Sequence, residues 1–284
     1  MAGTAIEIEG RVLSLSNLDK SLYPSGFAKS QVIDYYVRIA PVLLPHLKGR
    51  ALTTIRFPDG SHGKSFFSKN IPSYAPEWMN RIALKDNVYV VCDELASLVF
   101  LANLAALELH VPLHRAADDS AEPDRIVFDL DPGPQTSIVE CSQVALQIAD
   151  ILTPLGMVLR AKTSGSKGMQ LYAIPPAPMP YEGPSGVTAF AKAVAEGLER
   201  SNPAQVVSKQ AKELRPGKIL IDWSQNVRAK TTVCVYSLRA KDEPTVSTPV
   251  RWEEVVACAD GAPMSFTADQ VLARVEQYGD LFAV

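Results

Sequence analysis

Paired cysteines, metal-ligating signatures and long apolar runs are all missing from this 284-residue chain. Its four cysteines, Cys92, Cys141, Cys234 and Cys258, are far apart, form no CxxC pair and have no histidine at zinc-ligand spacing. They read as reduced, buried thiols, which excludes a disulfide scaffold and a zinc module. The four histidines, His46, His62, His110 and His114, form no HExxH motif. No run approaches the ~18 uncharged apolar residues of a membrane-spanning helix. The opening MAGTAIEIEGRVLSL lacks a basic segment followed by an apolar core, so it does not read as a signal peptide, and the cytoplasm is the expected compartment. Internal repeats and low-complexity segments are also absent, and a net charge of −3 argues mildly against nucleic-acid binding.

What is present is the composition of a globular protein, with 47% apolar and 21% charged residues and length for one large domain or two small ones. The charge is unevenly spread. Between Val207 and Lys241 eight basic residues face two acids, a local +6, offset by the acidic run Asp118, Asp119, Glu122 and Asp124. Such a basic face can meet phosphates or simply be solvated. Helical spacing predicts helices over Lys29–Leu47, Glu94–Leu109, Ser137–Leu155, Ser185–Ser201 and Asp269–Tyr278. Extended pieces are predicted at Arg11–Leu15, Ala51–Phe57, Ser65–Ser68, Val88–Cys92, Arg125–Asp131, Gly156–Lys162, Met169–Ile174, Lys218–Trp223 and Thr231–Leu238. The mixture implies an α+β architecture of sheets with helices packed against them.

Three stretches carry chemistry. In Arg125–Gly133, RIVFDLDPG, two carboxylates interrupt an apolar strand. Strand alternation puts Asp129 and Asp131 on one face, about 7 Å apart, where like charges repel unless a cation offsets them. Ile219–Asp222 again closes an apolar run with an acid. Three carboxylates holding two divalent ions are the equipment of in-line nucleotidyl or phosphoryl transfer, and oxygen ligands favour Mg²⁺ or Mn²⁺. Thr163–Gly168, TSGSKG, offers backbone N–H groups, hydroxyls and Lys167 to a triphosphate, although it is not a Walker A loop and could be a plain turn. Acids exposed at strand ends remain the bland alternative. A dehalogenase-type phosphatase would also use DxD, but the following Pro-Gly and the lack of a traceable parallel βα repeat weigh against it.

Together, NLDKSLYP, ALELHVP, VFDLDPG, KTSGSKG, IDWSQN and YSLR, in that order, resemble the bacterial primase-polymerase domains of the archaeo-eukaryotic primase superfamily, found in ligase D of non-homologous end joining and in stand-alone relatives. The resemblance runs from about Leu13 to about Asp280. It implies the primase-polymerase fold of twisted mixed β-sheets flanked by helices and one such domain over residues 1–284; with no ligase KxDG motif and no His-rich nuclease module in the sequence, the expectation is a stand-alone enzyme or an excised domain. It also implies a bacterial enzyme at work on the nucleoid.

The implied activity is templated addition of nucleotides, ribonucleotides preferred, from NTP or dNTP to a DNA 3′-OH, with two Mn²⁺ or Mg²⁺ ions. The implied substrates are gaps or double-strand breaks carrying a 5′-phosphate, with a DNA ligase and a Ku-type end-binding protein as partners. Asp129, Asp131 and Asp222 resemble the family's metal-binding catalytic acids. Ser164, Lys167, Arg239, His110 and Arg56 resemble its nucleotide-site residues. Asn17, Lys20 and Lys29 resemble its 5′-phosphate contacts, supported by Arg215, and Phe66 and Phe67 its template-packing aromatics. Strand alternation leaves at most one of those two rings to stack, with the other entering the core. One departure stands out: Gln170 occupies the place of a family histidine that contacts the triphosphate. Glutamine can donate a hydrogen bond but carries no charge, so the expectation is weaker nucleotide binding, or compensation by Lys167 or Arg228. The alternative from another class is a 5′-phosphate end-binding module that has lost polymerisation.

Overall fold

The computed structural model describes residues 3–116 and 120–283, so Asp118 and Asp119 of the acidic run lie outside the described residues. Along the chain come β1 (Thr4–Ile8), β2 (Arg11–Leu15), α1 (Lys29–Leu47), β3 (Thr53–Arg56), β4 (Phe66–Ser68), β5 (Arg81–Leu84), β6 (Asn87–Val90), α2 (Leu95–Asn103) and β7 (Ala106–Val111). Then follow β8 (Ile126–Pro132), α3 (Ile138–Leu152), β9 (Val158–Thr163), β10 (Met169–Ile174), α4 (Val187–Ser201), β11 (Val206–Val207), β12 (Ile219–Asp222), β13 (Thr232–Val233), β14 (Pro249–Val250), α5 (Trp252–Ala259) and α6 (Ala268–Tyr278).

Two sheets organise the molecule. One has six strands in the order β11-β12-β8-β10-β9-β14, antiparallel except for the β11–β12 pair; the other has four in the order β13-β7-β3-β4. Strands β1–β2 and β5–β6 form separate hairpins. Residues with branched and aromatic side chains make β8 and β10 central strands: Ile126, Val127, Phe128, Leu130, Leu171 and Tyr172 are all buried. Helices α3 and α4 pack against β8. Helix α3 starts at a capping box in which Glu140 Oε2 accepts from the Ser137 N–H at 2.8 Å and Ser137 Oγ accepts from the Val139 N–H at 3.2 Å. The helical stretch 138–155 is long and apolar enough to span a bilayer by length and composition. It nonetheless carries Glu140 and Asp150, and it lays Cys141, Val144, Ala145 and Ile148 on the sheet as part of the core. All four cysteines are free and buried, as expected.

The expected helix over Glu94–Leu109 is corrected. Its Leu- and Ala-rich composition favours helix, yet α2 ends at Asn103 and Ala105 turns the backbone with φ +56°. The next six residues form β7 and pair with β3 and β13 instead, because ladder partners and burial outweigh local propensity. The consequence is functional: in a strand, Glu108 and His110 share a face. The expected strand over Thr231–Leu238 is also shorter, ending at Val233 before a turn in which Tyr236 has φ +65°.

One buried side chain sets the register near the cleft between the sheets. After Asp222 the chain leaves the strand as a short 3₁₀ turn, Trp223–Asn226. Asn226, wholly buried, then serves as a surrogate strand neighbour: its Oδ1 accepts from the Val127 N–H at 2.8 Å and its Nδ2 donates to the Val127 carbonyl at 2.7 Å.

Candidate active site

The acids are assembled by strand pairing. In the β12–β8 ladder Asp222 stands directly opposite Asp129, and in the β8–β10 ladder Gln170 stands opposite Asp129; Lys162 of β9 faces Gln170 in turn. Opposed residues of antiparallel strands project to the same side, so Asp222, Asp129, Gln170 and Lys162 form one row across four strands. Asp131 joins the same face two residues on.

This row is electrostatically tense. Burial, reinforced by Asp131 and Asp222, pushes the Asp129 carboxyl up to about 7, while the Gln170 hydrogen bond and Lys162 oppose the rise. Burial and the Asp222 charge also raise Asp131, and Arg215 counters them. Gln170 Nε2 donates to Asp129 Oδ1 at 3.0 Å and Tyr172 Oη donates to Gln170 Oε1 at 3.3 Å. Lys162 is wholly buried, donates to Ser247 Oγ at 2.6 Å, and burial lowers it to about 7. Asp222 accepts from the Ser224 N–H at 3.0 Å, Ser224 Oγ at 2.6 Å and Gln225 Nε2 at 3.0 Å.

The donor set fits a hard divalent cation: three carboxylates on one face whose mutual repulsion a cation would relieve. Among the described residues no three acidic, histidine or cysteine side chains already stand together at ligating distance. In this arrangement the Asp222 carboxylate is taken up by Ser224 and Gln225.

Opposite the acids lies an open cleft of about 500 Å³ between the two sheets. Asp129, Asp131, Gln170, Ser164, Ser166, Lys167, Gly168, His110, Arg215 and Arg239 line it, together with Thr232 and Val233 of β13. The loop between β9 and β10 is folded on itself: Ser164 Oγ accepts from the N–H groups of Ser166 and Gly168, both at 3.2 Å. Its glycines are needed for close approach. Gly165 has φ +67°, and a Cβ on Gly168 would lie 2.2 Å from the Leu130 carbonyl oxygen. From behind, Arg239 Nη1 donates to the Ser164 carbonyl at 2.6 Å and Thr245 Oγ1 to the Gly165 carbonyl at 2.7 Å.

With this geometry, a family model describing the LigD primase-polymerase domain matches residues 28–282. The chain belongs to this family. It is 40% identical over 275 residues to the multifunctional non-homologous end joining protein LigD of Mycolicibacterium smegmatis, covering 95% of this chain and 35% of that protein. It is 34% identical over 269 residues to the bifunctional non-homologous end joining protein LigD of Bacillus subtilis, covering 94% of this chain and 43% of that protein. Among solved structures, the polymerase domain of Mycobacterium tuberculosis ligase D in complex with DNA matches with a TM-score of 0.87 and 40% identity, covering 95% of this chain and 96% of that one. The chain thus spans about a third of the length of the mycobacterial LigD proteins it matches.

The other residues singled out in the sequence take separate places in this LigD polymerase-type fold. Lys20, Asn17 and Lys29 cluster at the start of α1, outside the lining of the acid cleft. Lys20 Nζ pairs with Asp59 at 3.0 Å, and Asn17 adopts φ +53°. Lys29 Nζ donates to the Ser16 carbonyl at 2.6 Å, and burial together with the Lys20 charge lowers it to about 8. Arg215, grouped with these by sequence, lines the acid cleft near Asp131 instead. Arg56 is not among the cleft-lining residues; its Nε donates to the Leu104 carbonyl at 3.1 Å. Phe66 and Phe67 correct the expectation that one ring enters the core: they are 43% and 60% exposed, because β4 is an edge strand open on both faces. Arg228 is not among the cleft-lining residues. It stacks on Tyr181 at 4.6 Å and pairs with Glu122 at 3.0 Å, away from the cleft lining, whereas Lys167 does line the cleft.

Sequence reasoning missed Glu108. This carboxylate is buried behind the cleft wall, accepts from His110 Nε2 at 3.0 Å and from the Ala240 N–H at 3.1 Å, and pairs with Arg239 Nε at 3.1 Å. Burial alone would raise its carboxyl; the His110 hydrogen bond and the Arg239 charge hold it at about 2. The alternation in ALELHV was the available signal.

Proposed function

We propose that the chain extends a DNA 3′-OH with nucleotides directed by a template strand, at gaps or broken ends bearing a 5′-phosphate, in DNA end joining. The observation that carries this reading is a cleft lined by both Asp129 and Asp131 and a glycine loop with Lys167, with Asp222 paired opposite Asp129 on the neighbouring strand. Asp129, Asp131 and Asp222 would hold two Mn²⁺ or Mg²⁺ ions. When bound, such ions supply activation of the attacking hydroxyl and neutralisation of the triphosphate. The chain's own residues do the rest. Lys167 and Ser164 receive the phosphates, on a loop whose Ser166 and Gly168 N–H groups are given to Ser164 Oγ. Arg239 and His110 contact the nucleotide, and Gln170 orients Asp129.

Lys20, Lys29 and Asn17 would hold the 5′-phosphate of the downstream strand, and one of the exposed rings of Phe66 and Phe67, which alternate sides of β4, would pack on template bases. Residues 1–284 would work as one polymerase unit, with a ligase and a Ku-type end-binding protein as partners. A binding module without catalysis has no support: it rests on Gln170, and Gln170 sits among an intact acid set as a donor to Asp129.

Primer extension on DNA with a one- to few-nucleotide gap tests the proposal, comparing 5′-phosphate with 5′-hydroxyl, rNTP with dNTP, and Mn²⁺ with Mg²⁺. Metal-dependent extension that is stimulated by the phosphate and abolished in Asp129→Ala is the expected outcome. Phosphate-dependent binding without extension under any condition would overturn it.

A further inference from the structure

We infer that Glu108 is a positioning residue that presets the nucleotide site by holding His110 and Arg239 together on one buried carboxylate. The inference rests on the nucleotide-contact roles proposed above and deepens them.

Glu108 and His110 are two residues apart on β7 and share a face. His110 Nε2 is engaged by Glu108 at 3.0 Å. A carboxylate only accepts, so Nε2 carries a hydrogen and Nδ1 is the ring nitrogen left for a ligand. Arg239 arrives from a different part of the chain and is held from two sides: its Nε lies 3.1 Å from Glu108 Oε1 in an ion pair without a directed hydrogen bond, and its Nη1 donates to the Ser164 carbonyl at 2.6 Å. Its remaining Nη2 edge is available to a phosphate.

The same Glu108 oxygen accepts from the Ala240 N–H, anchoring the backbone next to Arg239. Through Arg239 the carboxylate also reaches the triphosphate loop. Glu108 itself is 5% exposed, too enclosed to touch a nucleotide. It therefore works by reducing the conformational freedom that His110, Arg239 and the loop would otherwise lose on binding. Each contact residue is left with one free group to offer.

The test is Glu108→Gln, which keeps the shape and removes the charge. The amide also places a donor group against His110 Nε2–H or must turn away from it. Three measurements are made on the full chain: the Kd of a fluorescent ribonucleoside triphosphate with Mn²⁺, the KM and kcat of gap filling, and the Kd for gapped DNA. The expected result is a nucleotide Kd and KM weakened about tenfold, kcat within about threefold and DNA affinity unchanged. ¹⁵N NMR of the His110 ring should report a change in the proton at Nε2.

Adding Arg239→Ala to the Gln variant should cost less than Arg239→Ala in the wild type, because the two residues act as one unit. A folded Gln variant with nucleotide Kd within about twofold of wild type overturns the inference, as does strict additivity with Arg239→Ala. If Glu108→Gln does not fold, Glu108→Asp provides the same readout, since it keeps the charge but shortens the reach. A wild type that binds nucleotide without extending DNA overturns the polymerase reading and leaves this binding test intact.

Discussion

Asp129→Asn should make the metal-free protein more stable while abolishing its activity. Asp129 is held at about 7 by burial and by its two acidic neighbours, against an ordinary aspartate value of ~3.9. Between about pH 4 and pH 7 the folded chain keeps a proton that the unfolded chain has released. The unfolded state thus binds fewer protons, and stability falls as pH rises through this window. Above pH 7 the full cost is present, at most ~4 kcal/mol for a carboxyl raised this far. Asparagine removes the charge, and its Oδ1 still accepts from Gln170. A gain of ~2–4 kcal/mol would raise the melting midpoint of a chain this size by roughly 4–7 °C.

The assay is thermal unfolding in EDTA at pH 5 and pH 8. The gap between variant and wild type should be largest at pH 8 and less than half as large at pH 5. Added Mn²⁺ should then stabilise the wild type and not the variant. Equal midpoints at pH 8, or a gap that does not shrink toward pH 5, would refute the claim that the acids are forced together out of water.

Three further outcomes are expected. Asn226→Ala strips partners from both backbone groups of Val127 and should cost ~2–4 kcal/mol in denaturant unfolding; a loss below about 0.5 kcal/mol would mean that water replaces the amide. Gln170→Leu removes a hydrogen bond that favours ionised Asp129, so the acid limb of the pH–rate profile for primer extension should move to higher pH; a shift to lower pH would contradict the observed contact. Lys29 is lowered to about 8, so its charge, and with it the stimulation by a 5′-phosphate, should fade as pH rises from 7 to 9. Lys29→Arg should flatten that dependence, and identical profiles for the two would argue against a direct charge contact.

Much of the site was legible because strand alternation is a strict rule. Asp129 and Asp131 share a face as their spacing required, and Met169–Ile174 forms a strand over the predicted residues. The convergence of Asp222 on Asp129 lay beyond the reach of local pattern, because ladder register depends on long-range pairing. Glu108 was hidden for a related reason. Its segment has helical composition, and only pairing with β3 makes it a strand with His110 on the same side. The fate of Phe66 and Phe67 turned on whether their strand lies at a sheet edge, a property of topology that alternation does not encode. Arg215 and Arg228 likewise depended on where loops return. Their charge could be counted in sequence, but its direction could not.

The row Asp222–Asp129–Gln170–Lys162 stores the spacing of the acids in backbone hydrogen bonds rather than in side-chain rotamers. The enzyme's calibration is therefore digital. A strand that slipped by one residue would send an acid into the apolar layer beneath and bring Phe128 or Leu130 into the cleft, with no intermediate setting. Gradual divergence can reshape the hairpins and loops around such a site without detuning it. An insertion or deletion inside β8, β10 or β12 would erase it at once, and repair would need a compensating shift in the same strand.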